Sequence, residues 1–136
     1  LEGLLLHLVE QPTAVRHEDL KDQQIRLLAH EIRQYPQKNW DFAAEAKNSG
    51  LSCTHFYRLF KKVTRLAPHQ FTIQARLEIA AKLLREDTAP IKVVAEAAGV
   101  PDIYYFTRIF KRHFGSPPSQ YRKEQAWGEE ETPSRL

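Results

Sequence analysis

Apolar positions recur with a helical period along most of the chain, and one such stretch occurs twice. Phe56, Leu59, Phe60 and Val63 fall at i, i+3, i+4 and i+7, an apolar stripe down one side of a helix. Thr54, Tyr57, Arg58 and Lys61 fall on another face. Fifty residues on, Phe106, Ile109, Phe110 and His113 repeat the stripe, and Tyr104, Thr107, Arg108 and Lys111 repeat the polar face. The correspondence extends to Pro68-His-Gln70-Phe71 and Pro118-Ser-Gln120-Tyr121. A stacked solenoid needs three or more units; two copies indicate a pair of like modules. One copy alone fits an amphipathic surface helix. A polar, basic and aromatic front with its arginine present in both copies suits a helix laid in the DNA major groove.

The remaining pattern fills in the elements. Ile25, Leu28, Ala29 and Ile32 predict a helix over 19–35, which Pro36 stops. Asp41 is a natural N-cap for a short helix through Lys47, and Gly50 suits the tight turn that follows. Ser52 caps the first repeat helix, which Arg65–Ala67 ends. Pro68 opens a long helix to Glu86, with Phe71, Ala75, Leu77, Ala80, Ala81 and Leu84 inward. Ile91–Ala98 is a short helix burying Val94, Ala95 and Ala98; Gly99 turns the chain and Asp102 caps the second repeat helix, with His113 in its core. A last helix starts after Gly115-Ser-Pro-Pro118 and runs to about Gln125. Helix, glycine turn, capped helix is the helix-turn-helix pattern, present twice. The expected division is 1–18 as the connection to an upstream domain, 19–66 as the first module and 67–87 as the linker helix. The second module then covers 88–127, and 128–136 form a tail without structure. Leu1, Leu4, Leu5 and Leu8 have helical spacing and suit the end of a connecting helix; the start at Leu1 suggests a piece of a longer chain.

Charge sharpens this picture. The 136 residues carry a net charge of only +3, but its distribution is uneven. Residues 46–77 contain no Asp or Glu and hold Lys47, Arg58, Lys61, Lys62, Arg65 and Arg76. Residues 103–123 also lack acids and hold Arg108, Lys111, Arg112, Arg122 and Lys123. Two acid-free basic windows, each centred on a repeat, form a footprint for a polyanion. The alternative is one basic face docking an acidic protein partner. The single cysteine, Cys53, rules out an intrachain disulfide and reads as a plain surface residue. No His-Glu-x-x-His, paired cysteines, phosphate-cradling glycine loop or nucleophile elbow occurs, so neither a metal, a cofactor nor an enzymatic activity is expected. No apolar run reaches the length of a membrane span.

These residues resemble a known family. Ala95-Glu-Ala-Ala-Gly99, Asp102, Tyr104 through Gly115, and Ser116-Pro-Pro-Ser-Gln-Tyr-Arg122 are close to the signature of the DNA-binding domain of AraC/XylS-type transcriptional regulators. Gly50-Leu51-Ser52, His55-Phe56, Arg58-Leu59-Phe60-Lys61 and Ala80-Ala81-Lys82-Leu83-Leu84 match the rest, so the resemblance spans residues 20–125. It implies an all-α, seven-helix fold with two helix-turn-helix modules joined by a long linker helix. Its function would be sequence-specific binding of double-stranded DNA, with the two recognition helices reading adjacent major grooves. By position, base reading would fall on Thr54, Tyr57 and Arg58 and on Tyr104, Thr107 and Arg108. Phosphate contacts would fall on Ser52, His55 and Lys61, on Lys62, Lys111 and Arg112 beside them, and on Ser119 at the start of the last helix. Tyr105 is expected to pack toward the linker helix. The resemblance further implies a cytoplasmic protein that works with RNA polymerase. It implies an effector-binding and dimerising domain outside this chain, so that the chain alone is monomeric and the longer protein homodimeric. Two positions depart from the pattern. Glu45 stands where an aliphatic residue is usual, so its helix is expected to rotate or Glu45 to reach solvent. Val100 stands where a large aromatic is usual, which predicts looser packing in the second module.

Overall fold

A computed structural model describes residues 17–134, with side chains from 19 to 126. The Leu1–Leu8 stripe therefore lies outside the described residues. Those described form seven helices and no strand: α1 His17–Gln34, α2 Phe42–Asn48, α3 Cys53–Thr64, α4 Pro68–Glu86, α5 Ile91–Ala97, α6 Ile103–Phe114 and α7 Pro118–Ser134. The fold is all-α, as the periodicity predicts. The difference comes at the end, where the backbone of α7 stays helical to Ser134 instead of stopping near Gln125. Glutamates at 129–131 are good helix formers, and a single glycine at 128 costs only about 1 kcal/mol against alanine.

The chain divides into two compact units. Of the described residues, 17–31 and 41–68 make up one, and 32–40 and 69–134 the other. The segment between α1 and α2 thus packs with the second unit, although it precedes the first recognition helix.

In the first unit the helices start where their caps dictate. Asp41 Oδ1 accepts from the Ala44 N–H at 3.1 Å, and Ser52 Oγ accepts from the His55 N–H at 3.1 Å. Each satisfies an amide that the helix itself leaves free, worth about 1 kcal/mol. Phe42 then brings its ring to 6.3 Å from Phe56 and 6.4 Å from Phe60. These three, with Ile25, Leu28, Ala29, Ala46 and Leu59, are the buried apolar residues that hold α3. Glu45 is half-buried.

The second unit buries Leu77, Ala80, Ala81 and Leu84 of α4 with Val94, Ala95 and Ala98, and with Phe106, Ile109 and Phe110 of α6. Val100 is 4% exposed and belongs to this cluster. Phe110 continues the stack to Phe114 at 4.5 Å and Tyr121 at 5.3 Å, and the Tyr121 hydroxyl accepts from Arg85 at 2.7 Å.

His113 departs from expectation: it is exposed, and Phe114 turns inward instead. An α-helix advances 3.6 residues per turn, so both i+7 and i+8 lie near the stripe that starts at Phe106. The larger apolar ring takes the inner place, and His113 lies edge-on against it at 4.6 Å.

Candidate nucleic-acid interface

The two repeat helices end in the same geometry. Arg65 and Gly115, fifty positions apart, take the left-handed conformation at φ 72° and 88°. Their N–H groups donate to Lys61 O and Lys111 O, both at 2.8 Å. Glycine adopts this conformation without cost; arginine does not. The first module holds Arg65 there through Thr64, whose Oγ1 accepts the Leu66 N–H at 3.2 Å and donates to Phe60 O at 2.9 Å. At the other end Asp102 Oδ1 accepts from the N–H groups of both Tyr104 and Tyr105, at 3.0 and 3.2 Å. Caps and packed backs thus fix which face of α3 and α6 stays outside.

On α3 that outer face presents Thr54, Arg58 and Lys61 to solvent, with Tyr57 half-buried against the edge of Phe56. On α6 it presents Tyr104, Arg108 and Lys111, with Thr107 half-buried. Tyr104 is 84% exposed. Each unit therefore brings its three expected base-reading residues together at i, i+3 and i+4 on one helix face, one step around from its buried stripe. The expected phosphate residues Ser52, His55, Lys62, Arg112 and Ser119 are exposed as well, Ser119 in the first turn of α7. In the first unit a cleft of about 550 Å³ borders α3, lined by Lys21, Asp22, Gly50, Leu51, His55, Arg58, Leu59 and Lys62. Lys21, whose ammonium donates to Ser49 O, adds a cation that the sequence reading does not include.

Two residues of the second unit, Arg76 and Tyr105, make contacts that the sequence alone does not announce. Arg76, half-buried on α4, donates from Nε to Pro36 O at 2.7 Å and from Nη2 to Lys38 O at 2.9 Å. Burial lowers its affinity for its proton, an effect that the negative charge of an ionised Tyr105 would partly offset. The Tyr105 ring carries the Arg108 guanidinium, 5.5 Å from the ring centroid. The i, i+3 spacing of Tyr105 and Arg108 is the available sequence signal for this stack; nothing local marks the carbonyls that Arg76 finds. Among the described residues no cluster of three or more His, Cys, Asp or Glu is placed to hold a metal, and no helix is long and apolar enough to cross a membrane.

Fold and faces together define a protein with two helix-turn-helix modules. A family model described as a helix-turn-helix domain matches residues 46–124. The multiple antibiotic resistance protein MarA of Escherichia coli is 34% identical over 84 residues, 62% of this chain and 66% of that protein. The solved DNA-binding domain of the global transcriptional factor AdpA, in complex with a target DNA, superimposes with a TM-score of 0.69 at 25% identity, covering 74% of this chain and 90% of that one. An AraC-type regulator structure from Chromobacterium violaceum shares the fold with a TM-score of 0.66 at 23% identity, over 78% of this chain and 92% of its own. The chain belongs to the AraC-type helix-turn-helix family of DNA-binding transcriptional regulators. It spans about a third of the length of the first curated relatives, 35%, 39% and 28% of them.

Proposed function

We propose that α3 and α6 each enter a major groove and read base edges on adjacent turns of one duplex. Thr54, Tyr57 and Arg58 form one reading set, and Tyr104, Thr107 and Arg108 the other. An arginine fork matches O6 and N7 of guanine, and an exposed tyrosine ring can lie on a thymine methyl. Ser52, His55, Lys61 and Lys62 hold phosphates beside the first groove. Lys111, Arg112 and Ser119 do so beside the second, Ser119 with the free amides at the start of α7. The observation that carries this reading is the matched presentation: two helices with capped starts and buried backs expose the same cationic face at the same register.

The spacer has a suitable scale. The 19 residues of α4 extend about 28 Å at 1.5 Å per residue, against about 34 Å between successive major grooves on one face. Membership of a regulator family supports a cytoplasmic protein that works with RNA polymerase. The greater length of most curated relatives supports a further effector-binding and dimerising domain in the whole protein. Docking to an acidic protein partner has no comparable support.

Site selection from a random DNA pool, followed by binding of Arg58→Ala and Arg108→Ala, tests the assignment. Each substitution should cost about 1–3 kcal/mol on the best site and relax preference at one or two base pairs, at opposite ends of the site. If affinity falls while both preference profiles stay unchanged, these arginines bind phosphate and the base assignment fails.

A further inference from the structure

The two reading helices are alike in sequence but differ in how they hold their arginine. Arg108 lies over the ring of Tyr105, one turn before it, with 5.5 Å between guanidinium carbon and ring centroid. The position matching Tyr105 in the first module is His55, and there Arg58 instead borders the open cleft shared with Lys21 and Lys62. Tyr105 is 38% exposed, so most of the residue is covered while part of it remains open to solvent. Arg76, on α4 of the same unit, is itself fixed. Two of its nitrogens donate to the carbonyls of Pro36 and Lys38, and its Nε stands 3.2 Å from where a Cβ on Gly99 would lie. A free arginine samples many rotamers and loses that freedom when it is immobilised. One that already rests on an aromatic face gives up less when it docks on a base edge.

We infer that Tyr105 is a positioning residue for DNA recognition: it holds the Arg108 guanidinium against its ring, ready for the base edge. The inference deepens the proposed base-reading role of Arg108 and rests on it. Tyr105 contacts the arginine and not the DNA. The stack has the strength of a partly exposed cation–π contact, about 0.5–1 kcal/mol. At one factor of ten per 1.4 kcal/mol that is roughly two- to fivefold in affinity. The second module accordingly holds its arginine ready before binding, whereas the first orders Arg58 on contact.

The test uses the full chain with Tyr105→Leu, which removes the ring, and Tyr105→Phe, which keeps it. In the free protein the ring current of Tyr105 should displace the NMR signals of the Arg108 side chain. Tyr105→Leu should abolish that displacement and Tyr105→Phe should retain it. On the selected DNA site Tyr105→Leu should weaken binding two- to fivefold and relax the base pairs that Arg108→Ala relaxes, with Tyr105→Phe close to the parent protein. The double variant Tyr105→Leu/Arg108→Ala should bind no worse than Arg108→Ala alone. Unchanged Arg108 signals in Tyr105→Leu overturn the inference, as does additive loss in the double variant. An unaltered preference profile in Tyr105→Leu, where Arg108→Ala does relax it, also overturns it. A flat profile in Arg108→Ala itself marks failure of the base-reading assignment. Loss of the ring-current displacement would then show a stack without a reading role, and the positioning role falls with it.

Discussion

Two glycines with one backbone conformation and opposite surroundings offer a controlled measurement. Gly99 and Gly115 stand at φ 89° and 88°, the left-handed region. An alanine at Gly115 would meet nothing within 4 Å, whereas its Cβ at Gly99 would lie 2.8 Å from Gln37 Cα and 3.2 Å from Arg76 Nε. Conformation alone costs an L-residue about 1–2 kcal/mol. The stiffer unfolded chain returns roughly 0.4–1 kcal/mol. Gly115→Ala should therefore lose about 0.5–1 kcal/mol. Gly99→Ala pays the same and an overlap besides. The obstructing atom is backbone, and the loop that carries it is held on both sides by the Arg76 bonds to Pro36 O and Lys38 O, so it cannot swing aside freely. Overlaps in packed interiors cost about 1–3 kcal/mol, which places Gly99→Ala at roughly 2–4 kcal/mol. Equilibrium guanidinium unfolding followed by far-UV circular dichroism reads both, provided the transitions share one slope. Equal losses within about 0.5 kcal/mol would show that the 36–38 loop yields, and would refute its description as an anchored segment.

Three further outcomes are expected. Arg65→Gly should stabilise the protein by about 0.5–1 kcal/mol in the same assay, because glycine removes the left-handed strain at a small cost in unfolded-chain entropy; no change or a loss would mean that the Thr64 contacts already relieve it. The logarithm of DNA affinity should fall linearly with the logarithm of salt, and Lys61→Ala should flatten that slope by about one while weakening all sequences alike; an unchanged slope would remove Lys61 from the phosphate set. Inserting about 5 base pairs between the two boxes should reduce binding to that of one module, and about 10 base pairs should not restore it, since a continuous helix cannot lengthen by a further 34 Å or so; full rescue at 10 base pairs in gel-shift titrations would exclude a rigid spacer.

What the sequence determined by itself is local. The stripe of Phe56, Leu59 and Phe60 and its copy fifty residues on place two helices and their buried sides, because a period of 3.6 leaves few ways to hide three apolar side chains. Asp41, Ser52 and Asp102 mark helix starts because each side chain reaches only the amides two or three residues ahead. The outer faces follow at once, and with them Thr54, Tyr57, Arg58, Tyr104, Thr107 and Arg108. Whatever depends on residues far apart in the chain was decided only in three dimensions. Arg76 finds carbonyls 40 and 38 positions away, and no periodicity encodes such a meeting. That pairing accompanies the grouping of Ile32–Trp40 with the second unit, although its sequence neighbours belong to the first. The choice between His113 and Phe114 was also tertiary: both lie near the stripe, and the presence of Phe110 and Tyr121 as neighbours settled which ring went inside. Arg65 shows the same division, since the matching Gly115 hints at a left-handed residue, but only the folded turn around Thr64 makes an arginine acceptable there.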